Sequence, residues 1–117
     1  MKLESIVTSL GLTSCTANVL GDTDVHGGYC SDLLSDVIAK ANENDVWITM
    51  QVHKNIVAVA AMKNLAGIIL VNGRVPDQET INKGVEENIP VFTSSLSAFE
   101  VAGRLYGMGL RGDNNGE

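Results

Sequence analysis

Two histidines, a pair of adjacent glycines and a scatter of acids are the side chains here whose types could do chemistry. His26 stands directly before Gly27 and Gly28, with Asp22, Asp24, Asp32 and Asp36 close by in sequence. A histidine within reach of a carboxylate is an elementary acid–base unit, because imidazole titrates near neutral pH. Acids around turns and helix starts are more often capping and solvating groups. Gly27-Gly28 reads first as a place where the backbone bends or lets another segment approach closely. An enzyme built on His26 with Asp22 or Asp24 is therefore the least favoured reading, and no catalytic residue is assigned. Together with Cys15 and Cys30, His26 and His53 raise the question of a metal. Their spacing matches no zinc pattern, so no metal and no cofactor is expected. The chain has no P-loop, no H-E-x-x-H and no Ser-His-Asp order, and Gly27-Gly28 is not part of a G-x-G-x-x-G.

The elements that would position these groups follow from composition and pattern. A chain of 117 residues is one domain's worth. Hydrophobic residues make up 44% but aromatics only 4%, so the core is expected to be aliphatic. The net charge of −6 repels phosphate backbones, which argues against nucleic acid as a partner. No apolar run approaches the length of a membrane span, and "MKLESIVTSLGL" lacks the apolar block of a signal peptide. The expectation is a cytoplasmic protein with two reduced, buried thiols at Cys15 and Cys30 and no membrane partner.

Leu3, Ile6, Val7 and Leu10 recur at helical spacing before Gly11. Residues 13–20 look extended, "GDTD" at 21–24 is turn chemistry, and a short strand is expected between Val25 and Cys30. The run 31–45 reads as a helix capped by Ser31 or Ser35, with Asp32 or Asp36 in its first turn. From residue 45 the pattern is regular. Strands are expected at 45–51, 66–71 and 89–94, and helices at 55–65, 77–88 and 96–108. Pro76 suits the first position of the second of these helices. Apolar strands alternating with helices imply parallel strands covered on both faces. The domain is expected to span 1–108, with 109–117 as a frayed tail whose "RGD" is a simple tripeptide.

In such sheets ligands sit beyond the carboxyl ends of the strands. Three loops leave those ends here, at 51–55, 71–77 and 93–97. They carry His53, Lys54, Asn55, Asn72, Gly73, Arg74, Thr93, Ser94 and Ser95. Each leads into a helix N-terminus, which suits an anion. In that reading Lys54 or Arg74 meets negative charge, Asn72, Thr93 and Ser94 orient the ligand, and Gly73 allows close backbone approach. The same residues also have ordinary explanations as caps, turns and solvated charges.

The runs "DVHGGYCSDLLSDVIAKA", "DVWITMQVHKNIVAVA", "LAGIILVNGRVPDQETI" and "IPVFTSSLSAFEVAGRLY" resemble the DRTGG-domain family over residues 2 to 107. The likeness is greatest to small stand-alone members, through Asp22, Val25, Gly27, Gly28, Tyr29, Ser31, Asp32, Leu33, Leu34, Ser35, Asp36 and Val37. The resemblance implies an α/β fold, a three-layer α/β/α sandwich with a mixed, mainly parallel sheet, like the N-terminal domain of HPr kinase/phosphorylase. It also implies a regulatory or assembly module, commonly dimeric, found beside CBS modules in pyrophosphatases and, for stand-alone members, near iron-only hydrogenases.

The resulting expectation is a non-catalytic regulatory domain and homodimer that senses a small anionic ligand or nucleotide. Its ligand residues would be the loop residues above together with His26, Gly27 and Gly28. The alternative is a protein–protein adaptor for a hydrogenase-type redox complex with no small ligand. In that case the informative surface would be an apolar patch around Leu105, Tyr106 and Met108.

Overall fold

A computed structural model of the chain describes residues 1–17 and 23–112. Asp22 and with it the first half of the turn expected at 21–24, the later part of the extended stretch at 13–20 and the tail from 113 onward lie outside the described residues.

The elements are α1 (Leu3–Leu10), β1 (Thr13–Ser14), β2 (Gly27–Cys30), α2 (Leu34–Lys40), β3 (Asp45–Thr49), α3 (Asn55–Lys63), β4 (Gly67–Leu70), α4 (Gln78–Glu87), β5 (Val91–Thr93) and α5 (Ala98–Gly107). The strands form one sheet in the order β1-β5-β4-β3-β2. β2, β3, β4 and β5 are parallel neighbours, and β1 closes the far edge antiparallel to β5, with Thr13 opposite Thr93. This is the expected α/β sandwich with a mixed, mainly parallel sheet.

Strand periodicity divides the core into two halves. On one face Val46, Ile48, Ile69 and Phe92 pack with Leu3, Ile6 and Leu10 of α1 and Val101 and Leu105 of α5. On the other, Trp47, Ile68, Leu70 and Val91 pack with Val37 of α2 and Ile56, Val57 and Ala60 of α3. Every residue of β3 and β4 is buried, which is why β4 reads as a continuous apolar run and β3 as an apolar Val46–Trp47–Ile48 centre between Asp45 and Thr49. Trp47, the largest fully buried side chain, has its indole N–H satisfied by the Ser31 carbonyl at 2.8 Å.

Three helices end on left-handed residues, Gly11 after α1, Asn64 after α3 and Asn88 after α4. The helix starts differ from expectation in detail. α2 begins at Leu34, after Leu33, and neither Ser31 nor Ser35 is its cap. Ser31 Oγ instead accepts from the Leu33 N–H at 3.1 Å, and Asp32 stays outside the helix. Lys54, not Asn55, precedes α3, and Pro76 lies before Asp77, the cap of α4, instead of inside the helix. Ser97 does cap α5, accepting from the Glu100 N–H at 3.2 Å.

The packed chain also runs past residue 108. Leu110 is buried in the α1/α5 half of the core, and the Arg111 carbonyl accepts from the Gly28 N–H at 3.2 Å. Residues 110–112 thus form a strap along the outer edge of β2.

Candidate functional site

The three strand-end loops are brought together. Asn72 N–H donates to Leu96 O at 2.8 Å, Gly73 N–H to Ser94 O at 2.9 Å and Asp77 N–H to Val52 O at 3.1 Å. Asn72 and Gly73 both adopt positive φ, 58° and 68°, the tight turn that an Asn-Gly pair permits. The Asn72 amide lies 2.9 Å from Met50 Sδ. The His53 and Lys54 side chains are less available than the sequence suggests. His53 Nδ1 donates to Asp77 Oδ2 at 2.6 Å, and Lys54 Nζ meets Glu79 Oε2 at 3.2 Å. Ser94 is buried and its hydroxyl accepts from Leu96 N–H; Ser95 is exposed, Thr93 half-buried, and Asn55 exposed at the first helical position. Arg74 is exposed at the rim of the cluster. Asn72, Gly73 and Ser94 therefore form one cluster, with His53 and Lys54 tied to acids of the α4 start.

A concavity lies elsewhere, at the β2 edge. Gly28 and Cys30 fall on the α5 face of the sheet, next to Val46 and Ile48 in register. Neither fills the space a large side chain would occupy. Tyr29 points the other way, packs on the α2/α3 half of the core and donates its hydroxyl to Asp36 Oδ2 at 2.7 Å. The result is an apolar cavity of about 290 Å³ between β2 and α5. Its walls are Gly28, Cys30 and Ile48 from the sheet and Ala102, Leu105 and Tyr106 from α5. The strap closes one side through Leu110, Arg111 and Gly112. Arg111 is fixed at the rim, with its guanidinium 3.8 Å over the Tyr106 ring and Nη1 donating to the carbonyls of Leu110 and Tyr106 at 2.8 and 3.0 Å.

Gly28 answers to this cavity more than to a bend. Neither Gly27 nor Gly28 has positive φ. A Cβ built on Gly28 would meet only Val46, at an ordinary 3.8 Å. His26 lies just outside, where it lines a broader, polar depression with Met1, Val25, Met108, Gly109 and Leu110. Its Nδ1 sits 3.5 Å from the Asn44 amide, and its N–H donates to the Asn44 carbonyl at 2.9 Å.

The acids divide by environment. Asp32, exposed as a residue, clamps the ends of β2 and β3 together: Oδ1 accepts from Thr49 Oγ1 at 2.8 Å and from Met50 N–H at 2.7 Å. Asp36 is held below the usual carboxylate range first by the Tyr29 hydroxyl, then by Ser31. Asp24 is lowered by Lys2, which bridges it at 3.1 Å. Asp45 is the exception. It is fully buried, Oδ2 accepts from Asn42 N–H at 2.8 Å, and Oδ1 has no partner. Burial pushes its carboxyl above the ordinary value.

The expectation of two buried thiols needs correction. Cys15 is half-buried, Cys30 is exposed at the edge strand, and both are free. Loss of solvation raises both thiols, and Asp32 adds to the rise at Cys30, so neither is primed as a thiolate. Among the described residues no group of three or more His, Cys, Asp or Glu side chains is placed to hold a metal ion. None of the described helices is long and apolar enough to cross a membrane.

No protein-family profile and no curated protein matches the chain. The architecture is shared with a solved structure, the CBS and DRTGG domains of the regulatory region of Clostridium perfringens pyrophosphatase, complexed with the activator diadenosine tetraphosphate. The two superpose with a TM-score of 0.66 at 19% sequence identity, over 86% of this chain and 44% of that one. The likeness is one of fold and supports a DRTGG-like α/β domain; this chain spans less than half the length of that relative.

Proposed function

We propose that this chain is a non-catalytic regulatory domain that senses a small ligand, with the ligand seated in the cavity between β2 and α5. The carrying observation is the apolar cavity of about 290 Å³ left open because β2 presents glycine and cysteine to α5. Ligand pockets are concave and mostly apolar, with a few fixed polar groups, and span roughly 300–1,000 Å³. Arg111 at the rim supplies the charge that an anionic group on the ligand would meet. The Asn72–Gly73–Arg74 turn, with Ser94 beside it, is the second place where an anion would be held, through the exposed Arg74 guanidinium. The fold relative, a regulatory region bound to a nucleotide activator, supports a nucleotide or other anionic metabolite as the ligand class. In this reading the protein works in the cytoplasm, as a homodimer.

The test is a thermal-shift screen of wild type, Gly28→Val and Arg74→Ala against nucleotides, acyl phosphates and simple anions. A ligand at a hundred times its dissociation constant adds about 2.7 kcal/mol of stability. That gain is expected in wild type and Arg74→Ala and absent in Gly28→Val. A gain that survives Gly28→Val and disappears in Arg74→Ala would move the site to the strand-end loops.

A second reading, an adaptor for a hydrogenase-type redox complex, is favoured by one observation. Phe99 and Tyr106 lie seven residues apart on α5 and are 85% and 59% exposed. Loss of partner capture on Phe99→Ser, with ligand binding intact, would support it.

A further inference from the structure

The cavity between β2 and α5 constrains the body of its ligand as well as its charge; this step rests on that cavity being the ligand site. The backbone polar groups of a strand lie in the plane of its sheet, and those of a helix lie along its axis. Accordingly the Gly28 N–H goes sideways to the Arg111 carbonyl and the Ser31 N–H to the Ile48 carbonyl, and the two walls meet the cavity with side chains. Those side chains are the hydrocarbons of Ile48, Ala102, Leu105 and Leu110 and the thiol of Cys30. Loss of solvation, with Asp32 adding to it, raises that thiol above its ordinary value, so at neutral pH it lines the wall as a small uncharged group. A polar group carried into this space would give up its water and gain no partner. At about 30 Å³ per heavy atom, the share of a water in the liquid, the cavity of about 290 Å³ holds about ten atoms.

The charge stands at the mouth and is single. Arg111 is the charged residue among those that line the cavity. Its guanidinium rests on the Tyr106 ring, and Nη1 is committed to the Leu110 and Tyr106 carbonyls. Among the described residues no hydrogen bond holds Nε or Nη2, which leaves one edge of the fork for an acceptor with two oxygens. The surroundings are acidic: Asp32 is near enough to Cys30 to act on its thiol, and the chain carries a net charge of −6. One guanidinium in that field balances a monoanion, whereas a phosphate monoester, with about −1.5 to −2 charges at neutral pH, would stay partly unmatched.

We propose that the cavity takes an aliphatic monocarboxylate, with a hydrocarbon chain of up to about ten atoms lying between β2 and α5 and the carboxylate paired with the free edge of Arg111. The ring nitrogens of a nucleobase and the hydroxyls of a sugar would find no partner on that lining.

The experiment is an amide-resolved NMR titration of the whole chain with butanoate, hexanoate and octanoate, with hexanamide as the neutral counterpart of hexanoate, and with adenosine, AMP and a panel of aromatic fragments. The carboxylates are expected to shift the amide resonances of Gly28, Cys30, Ala102 and Leu105 and to leave those of Asn72 and Gly73 in place. Affinity should rise by up to about fourfold for each added methylene. Hexanamide should bind about tenfold more weakly than hexanoate, the loss of a charge-assisted pair. Arg111→Gln should bring hexanoate down to the affinity of hexanamide and leave hexanamide unchanged, and Gly28→Val should remove both. The comparison of acid with amide in wild type reads the charge even where the Arg111 variant disturbs the strap. Affinity that is flat from butanoate to octanoate, or hexanamide binding as well as hexanoate, would overturn the proposal. If adenosine, AMP or the fragments shift the cavity resonances and the carboxylates do not, the cavity stands as a ligand site and the aliphatic carboxylate fails. If nothing shifts them, both fail.

Discussion

Replacing Gly28 by valine should make this protein more stable and remove its ligand binding. A glycine pair in a strand is usually read as a backbone demand, in which case valine would cost about 1–3 kcal/mol. Here the backbone makes no such demand. Among the described residues the glycines with positive φ are Gly11, Gly73 and Gly109, not Gly28. The new Cβ would rest 3.8 Å from Val46 Cγ1, in ordinary contact. Half-burying a valine in the cavity contributes about 1 kcal/mol, taken as half of the full-burial value. Exchanging glycine for a β-branched residue in a strand adds up to about 1 kcal/mol more. The sum is about 1–2 kcal/mol, or a rise in Tm of about 4–8 °C for a domain of this size. Calorimetric unfolding of both proteins, alone and with the best ligand from the screen, measures both effects. A fall in Tm of several degrees would show that the edge strand needs glycine for its own geometry. A rise in Tm with binding retained would show that the ligand lies elsewhere. The expected result is the trade of function against stability common where a site is a hole left in a core.

Other consequences follow from the same packing. Gly84→Ala places a Cβ 3.0 Å from the Ile89 carbonyl and from Thr16 Cγ2. Its overpacking cost of about 1–3 kcal/mol should exceed the helix-propensity gain of about 1 kcal/mol, whereas Gly103→Ala, with open space around it, should show only the gain; urea midpoints distinguish them. Asp32→Ala removes the acceptor shared by Thr49 Oγ1 and Met50 N–H and should cost about 2–4 kcal/mol, with faster amide exchange at Met50. Asp45 has a folded-state pKa raised above its ordinary value, so the folded chain binds its proton more readily than the unfolded chain does. Its ionised form therefore opposes folding above that folded pKa. As pH falls through it toward 3.8 that penalty is relieved, so the stability of wild type relative to Asp45→Asn should rise over this window in denaturant titrations.

The layout of the sheet was legible in the sequence because β3 and β4 are buried on both faces and are therefore mostly apolar. α1 was legible from Leu3, Ile6 and Leu10, which all turn inward. The helix starts were harder. Asp32 looks like a first-turn acid in sequence, but it stays outside the helix and its carboxylate accepts from Thr49 and Met50, seventeen and eighteen residues on. The strand-end cluster was read correctly as loops but too generously as free charge. His53 and Lys54 are matched by Asp77 and Glu79, whose nearness depends on how α4 follows β4. The cavity was not legible because it is made of missing volume. Small residues at 28 and 30 mean nothing until α5 is known to pack over that face and Leu110 and Arg111 to close it. The available signal was two small residues at a spacing of two on an edge strand, followed far along the chain by an arginine.

The depression that His26 shares with Met1 and Gly109 has a further consequence. The start of the chain and the residues that follow α5 leave the domain side by side. The Met1 carbonyl is anchored by the Val25 N–H at 2.7 Å, and the Arg111 carbonyl by Gly28, so residues 1 and 111 are both tethered to the segment that carries the cavity wall. Anything joined to either end is mechanically coupled to that wall. A circular permutant that links residue 112 to residue 1 and opens at the exposed Asn72-Gly73 turn should keep the fold while moving that attachment point to the opposite end of the sheet.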